Sequence, residues 1–266
     1  MLTNATFLKG LAVHATDGDL GTVDEFLFDD ETWAVRYLVV DTGGWLSGRR
    51  VLISPMSVFQ ADWPSRRLDV SLTMEQVKHS PDIDTQQPVS RQHEADYLGY
   101  YGYPYYWSGP YFWGPSDYPA GMSLTASLNA DALKDRSLKE SADSHLRSSH
   151  AITGYRVESA DGEIGHIDGF VVDDHSWAIR YLAVATRNWL PGKKVLVAPA
   201  WAEGISWEDS SVHIGLTREA IKTAPEYLES EPLTRQYEDQ IYSHYGHTPY
   251  WLRQSHHAAL FASGRV

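Results

Sequence analysis

Asp17-Gly18-Asp19-Leu20-Gly21-Thr22-Val23-Asp24-Glu25-Phe26-Leu27-Phe28-Asp29-Asp30-Glu31-Thr32-Trp33-Ala34-Val35-Arg36-Tyr37-Leu38-Val39-Val40 is the stretch whose pattern sets the fold class. Asp17-Gly18 puts glycine where a tight hairpin needs a positive φ. Asp29 to Thr32 separates two runs rich in apolar, β-branched and aromatic residues, Leu20 to Phe28 and Trp33 to Val40. Two successive hairpins are therefore predicted, the second turning on Asp29-Asp30-Glu31-Thr32.

The same stretch occurs twice. Displacing the chain on itself by 144 positions aligns Gly10 to Trp107 with Gly154 to Trp251 without a gap, about a third of the aligned positions being identical. Asp17-Gly18 and Gly21 match Asp161-Gly162 and Gly165, and Asp24, Phe26, Asp29 and Asp30 match Asp168, Phe170, Asp173 and Asp174. Trp33-Ala34 and Arg36-Tyr37-Leu38 match Trp177-Ala178 and Arg180-Tyr181-Leu182. The match continues through Trp45-Leu46, Gly48 and Pro55 against Trp189-Leu190, Gly192 and Pro199. Arg91-Gln92, Glu94, Tyr101-Gly102 and Tyr106-Trp107 recur as Arg235-Gln236, Glu238, Tyr245-Gly246 and Tyr250-Trp251.

Within each copy, Val51 to Pro55 and Leu68 to Leu72 read as further strands. Thr73-x-x-Gln76 reads as a capping box opening a short helix, with Thr217 as its counterpart. A second short helix is placed after Ser90 and Thr234, followed in each copy by an aromatic tail. Five or six short strands in so small a unit close most economically as a barrel that hides its edges. The predicted class is mainly β: two small barrels in tandem, each followed by short helices and an aromatic tail. The domains fall at residues 1–107 and 150–251, with a linker over 108–149, a weak helix near Ala130 to Lys139, and a C-terminal tail over 252–266.

Composition narrows the function classes. A length of 266 residues suits two domains, and a net charge of −13 repels phosphate backbones and anionic lipid in the absence of a basic patch. Arg49-Arg50 and Lys193-Lys194 are only dipeptides, so no nucleic-acid partner is expected. The absence of cysteine excludes disulfides, thiolate metal sites and cysteine nucleophiles, and suits a reducing cytosol. No apolar run reaches the roughly 18 residues of a membrane span, and Met1 to Gly10 lacks a signal-peptide core, so a cytoplasmic, soluble chain with no integral membrane segment is expected.

The Gly154-Tyr155 opening strand, Asp161 to His166, Asp173-Asp174, Trp177 to Leu182, and Asn188-Trp189-Leu190-Pro191-Gly192-Lys193-Lys194-Val195-Leu196-Val197 resemble the PRC-barrel family. So does the lead-in His145-Leu146-Arg147-Ser148, which is similar to that of soluble two-copy bacterial members. The resemblance implies the barrel fold over about 80 residues of each copy. It does not specify a function, because fold and function separate readily. In the photosynthetic reaction centre H subunit, a related domain caps the cytoplasmic face of the complex and supports proton delivery to a quinone. A ribosome-maturation factor carries the same domain.

Among the polar residues, Asp29-Asp30 and Asp173-Asp174 read as hairpin turns rather than paired catalytic carboxylates. Arg36 and Arg180, inside alternating strands, are either inward buried ion-pair members or exposed ladder members. If Phe28 faces Trp33 across the hairpin, Asp24 lies opposite Tyr37 and Asp168 opposite Tyr181, giving phenol–carboxylate hydrogen bonds. His244-x-x-His247 and His256-His257 lack a third ligand, and Tyr100 and Tyr103 replace the first pair in copy one, so no metal or other cofactor is expected.

The tails carry Tyr105, Tyr106, Trp107 and Trp113 in copy one and Tyr250 and Trp251 in copy two. They either seal their own barrels or cross to another copy or protomer. No nucleophile elbow, Walker loop, dinucleotide fingerprint or zincin motif is present, so a non-enzymatic scaffold or adaptor is expected, its partner a protein or another copy of itself. The alternatives are a small-molecule or ion-binding regulator using an inter-barrel cleft, and an H-subunit-like accessory of a photosynthetic or electron-transfer membrane complex.

Overall fold

The structure is a computed structural model describing residues 1–81, 89–109, 111–114, 116–119, 145–186 and 192–252. The motif residues Asn188 to Pro191, the helix expected near Ala130 to Lys139, and His256-His257 lie outside the described residues. The chain is mainly β, with two seven-stranded sheets. It divides into two compact units, Met1–Thr153 with Phe170–Arg180, and Gly154–Gly169 with Tyr181–Val266.

In copy one the strands are β2 (Ala12–His14), β3 (Asp19–Asp29), β4 (Ala34–Asp41), β5 (Arg50–Ile53), β6 (Val58–Asp62) and β7 (Arg67–Val70), preceded by β1 (Leu2–Asn4). They pair in the order β5-β4-β3-β2-β7-β6, with β2 and β7 parallel. Copy two repeats this order with β9 (Arg156–Ser159), β10 (Gly162–Asp173), β11 (Ile179–Thr186), β12 (Lys194–Val197), β13 (Ala202–Ser206) and β14 (Ser211–Ile214). Each sheet gains a seventh strand that the sequence pattern did not reveal. β8 (Leu146–Ser148) pairs with β3, and β1 pairs with β10. The expected linker segment thus ends, among described residues, in a strand that belongs to the first compact unit.

The repeated glycines mark close approach of backbone. A Cβ on Gly21 would lie 2.0 Å from the Asp41 carbonyl oxygen, and one on Gly165 would lie 2.0 Å from that of Ala185. No side chain fits there, which is why both copies keep glycine at this point. The core of unit one is built from strand residues such as Val13, Leu20, Phe28, Val35, Leu38 and Leu68, all with essentially no exposure.

The helices begin where the caps place them. Thr73 forms the capping box with Gln76 ahead of α1 (Met74–Lys78), and Ser90 caps α2 (Arg91–Tyr101), which ends at Gly102 in the left-handed conformation. A one-turn helix, α3 (Ser149–Ile152), follows β8. Thr217 and Thr234 cap α4 (Arg218–Lys222) and α5 (Arg235–Tyr245) in the same way. The basic dipeptides have a local role. Arg49 donates to the carbonyls of Lys78, Ser80 and Pro81 at the end of α1, and Lys193 donates to those of Lys222 and Ala224 at the end of α4. A cation there satisfies carbonyls left over at the helix C-terminus.

The β3–β4 register corrects one expectation. Leu27 pairs with Tyr37, Phe28 with Val35 and Asp29 with Ala34, with irregularities between Val23 and Glu25 and between Leu27 and Phe28. Phe28 is therefore not opposite Trp33, and Asp24 falls at the first irregularity rather than opposite Tyr37. Each bulge adds a residue to one strand and displaces every pairing beyond it, so counting from the turn misses the true register.

Candidate functional site

The repeat-matched polar residues converge at the junction of sheet, helix and tail. In copy one β4 supplies Arg36 and Tyr37, the β3–β4 turn supplies Asp29 and Thr32, α2 supplies Arg91 and Glu94, and the tail supplies Tyr106, Phe112 and Trp113. Arg36 is 1% exposed. Its guanidinium lies 3.4 Å from Asp29 and 2.9 Å from Thr32 Oγ1, and it donates to the Phe112 carbonyl. It lies 3.8 Å from the centre of the Tyr106 ring and 4.9 Å from that of Trp113. Of the two readings open for Arg36, the inward ion-pair member is the observed one. Asp29 also accepts from the backbone N–H groups of Glu31 and Thr32, as its turn role requires.

Glu94, 1% exposed, is the hub. It accepts from the Tyr106 hydroxyl, lies 3.4 Å from the Tyr37 hydroxyl, and forms an ion pair with Arg91 at 3.2 Å. Arg91 also donates to Tyr106 Oη at 2.8 Å and lies 4.5 Å from the centre of the Trp107 ring. Burial pushes the Glu94 carboxyl up to about 7, against the opposing pull of Arg91 and of the Tyr106 hydrogen bond. Burial, with Glu94 beside them, likewise holds the Tyr37 and Tyr106 hydroxyls well above the usual phenol range, so both stay protonated donors.

The tail is anchored by these groups. Tyr105, Tyr106 and Trp113 are buried, Tyr105 stacks on Trp107 at 4.8 Å, and the Trp113 indole N–H donates to the Ser176 carbonyl at 2.8 Å. Ser176 belongs to the Phe170–Arg180 segment of the same compact unit. In that segment Arg180 pairs with Asp173 at 3.1 Å and lies 5.3 Å from the centre of the Phe112 ring. Burial alone would raise the Asp173 carboxyl, but Arg180, Ser176 and the His175 N–H outweigh it and hold it below its ordinary range.

Unit two repeats the hub. Tyr181 donates to Glu238 at 2.9 Å, Tyr250 donates to the same oxygen at 3.1 Å, and Arg235 pairs with Glu238 at 2.9 Å and lies 4.0 Å from the centre of the Trp251 ring. Burial first, then Glu238, lifts the Tyr181 hydroxyl far above the usual phenol range. The difference between the copies is access: the Arg235 side chain is 54% exposed, that of Arg91 only 9%.

The carboxylates expected to face the tyrosines are elsewhere. Asp24 pairs with Arg50 at 2.9 Å and Lys9 at 3.7 Å, and Asp168 pairs with Lys194 at 2.5 Å. The tyrosines' true partners, Glu94 and Glu238, come from helices 57 residues further along the chain. Their only trace in the sequence is that the same glutamate stands at the matching position of both copies.

Among the described residues no group of three or more histidine, aspartate or glutamate side chains is arranged to hold a metal. His244 lies 2.7 Å from the Ala220 carbonyl, and His247 stacks on Trp201 at 4.7 Å. A cleft of about 220 Å³ lies in unit two between the 226–234 loop and α5, lined by Glu226, Tyr227, Leu228, Glu231, Leu233 and Tyr237. None of the hub residues lines it. No helix among the described residues is long and apolar enough to cross a membrane.

Strand order, register and duplicated hub define a tandem protein of small, repeated β-domains whose polar residues fasten helix and tail to sheet. Residues 4–63 match the PRC-barrel domain family, so the first copy is a PRC-barrel domain, and the second repeats its strand order. The chain is also similar to an uncharacterized protein of Deinococcus radiodurans, 37% identical over 84 residues. That match covers 31% of this chain and 30% of the relative, so the chain spans less than a third of the relative's length.

Proposed function

We propose that the protein is a non-enzymatic scaffold that works by docking, its PRC-barrel copies binding a protein partner or one another. One observation carries this reading. The repeat-matched groups in unit one able to do acid–base chemistry, Asp29, Arg36, Tyr37, Glu94 and Tyr106, are each less than 5% exposed and bonded to one another. A general acid or base must reach the proton it transfers. These groups reach only their neighbours in the core, so what the duplication retains is a way of building the domain, and activity is left to its surface. Cross-linking of the full chain in cells, followed by mass spectrometry, tests the proposal. The expected result is a discrete adduct, with another protein or another copy, linked through surface residues and retained in Tyr37→Phe. A chain that forms no adduct but turns over a small molecule, with turnover abolished by Tyr37→Phe, overturns it.

A further inference from the structure

Compact unit one contains a set of contacts that map onto one another when 144 is added to or subtracted from the residue number. Leu2, Thr3 and Asn4 pair with Asp173, Val172 and Val171, and Leu146, Arg147 and Ser148 pair with Asp29, Phe28 and Leu27. The Asp174 N–H donates to the Met1 carbonyl at 3.0 Å, and the Asp30 N–H donates to that of His145 at 3.0 Å. The Val35 N–H donates to the Trp177 carbonyl at 2.8 Å, and the Ile179 N–H donates to that of Trp33 at 2.7 Å. Two contacts join a residue to its own counterpart: the antiparallel bridge Ala34–Ala178, and the edge-to-face pair Phe26–Phe170 with ring centres 5.5 Å apart.

A surface on which residue i meets j while the counterpart of j meets that of i is isologous, the geometry of a twofold dimer. Ala34, Phe26 and Phe170 are all buried by it. The self-paired contacts place a local dyad at Ala34–Ala178. The surface carried by Leu2–Asn4, Phe26–Asp30 and Trp33–Val35 is thus complementary to a copy of itself, up to the side chains that differ between the repeats.

We propose that this is a homotypic docking surface whose occupant is a second PRC-barrel copy of this kind, interchangeable with the corresponding copy of another molecule of this chain. The inference rests on the docking reading above and names its partner. The covalent link raises the effective concentration of the second copy far above that of free chains, so the intact protein fills the surface from within at low concentration. Exchange between molecules then requires crowding of chains and transient opening, as in domain swapping.

The chain has no cysteine, so one introduced on the dyad reports the pairing cleanly. Hydrogen bonds from Val35 and Ile179 flank Ala34–Ala178, the pattern of a non-hydrogen-bonded antiparallel pair. The Cα atoms in such a pair are about 4.5 Å apart, within disulfide range. Full-length Ala34→Cys is incubated over a range of chain concentrations in sub-denaturing urea, returned to buffer and oxidised. Glu31→Cys, at an exposed turn position, sets the level of random collision.

The expected result is a disulfide-linked dimer of Ala34→Cys, two chains joined through position 34, that rises with chain concentration above the Glu31→Cys level. The double variant Ala34→Cys/Ala178→Cys closes an internal bond and stays monomeric. Closure in the double variant with no excess dimer from Ala34→Cys overturns the proposal. Should Ala34→Cys disturb folding, two size-tagged, otherwise unaltered chains taken through the same urea cycle give the decision by native mass spectrometry. Mixed dimers support exchange, and their absence contradicts it. Failure here, with an adduct to a different protein in the cellular cross-linking, would remove the homotypic partner and leave the docking reading intact.

Discussion

The Tyr37 hydroxyl lies 3.4 Å from Glu94 Oε2, and both groups are about 1% exposed. Losing one buried hydrogen bond of this kind costs about 1 kcal/mol. Tyr37→Phe is therefore expected to lower unfolding free energy by about that amount in urea titration, because Glu94 retains Tyr106 and Arg91 as partners. Unaltered stability would show that the contact contributes nothing.

Glu94 gives the protein a pH dependence of known sign. Its folded carboxyl titrates near 7, above the about 4.3 of an unfolded glutamate, so between these values the folded state holds more proton than the unfolded one. The stabilisation tied to this proton is fully present below about 4.3 and is lost as pH rises through 7. Urea titrations at intervals from pH 5 to 8 should show this component as a decline with rising pH, and Glu94→Gln should flatten it. An identical slope in the variant would place the titration elsewhere.

Asp24 is expected to matter little. Its pair with Arg50 is partly exposed, at 23% and 46%, and such pairs contribute about 0–1 kcal/mol, less as salt is added. Asp24→Asn should leave the melting temperature within a degree or two in moderate salt. A loss as large as that from Tyr37→Phe would contradict the observed pairing.

The two aspartate–tyrosine expectations show where sequence reasoning stops. The turns, the caps at Thr73, Ser90, Thr217 and Thr234, and the tandem β organisation were legible because each depends on residues within a few positions of one another. The partner of Tyr37 was not, because the irregularities at Val23/Glu25 and Leu27/Phe28 shift the register without a glycine or proline to announce them. Strands of three residues such as Leu2–Asn4 and Leu146–Ser148 are too short to show alternation, and their pairing partners lie more than a hundred residues away. Arg36 was placed in a strand, but its direction followed only from the tail that covers it.

Gly21 and Gly44 separate two kinds of glycine. Gly21 has φ +136° and its Cβ would meet the Asp41 carbonyl, so Gly21→Ala should destabilise by more than about 2 kcal/mol or prevent folding. Gly44 has open space around the Cβ position, and Gly44→Ala should be neutral or stabilise by about 0.5 kcal/mol. Thermal melts of the two variants side by side provide the check, and equal effects would refute the close approach.

That the aromatic tail of copy one is part of the domain, fastened by Arg36, Arg91 and Glu94, is tested most directly by replacing Tyr105, Tyr106, Trp107 and Trp113 together with serine in the full chain. Truncating one buried aromatic residue typically costs about 3–5 kcal/mol, so the variant should melt far below the parent or fail to fold cooperatively. Trp113→Ala alone should show the same direction at smaller size. Light scattering on the single variant should give the mass of the parent. A melting temperature that stays at the parent value while the mass changes would contradict a tail that seals its own domain and would make it an assembly element instead.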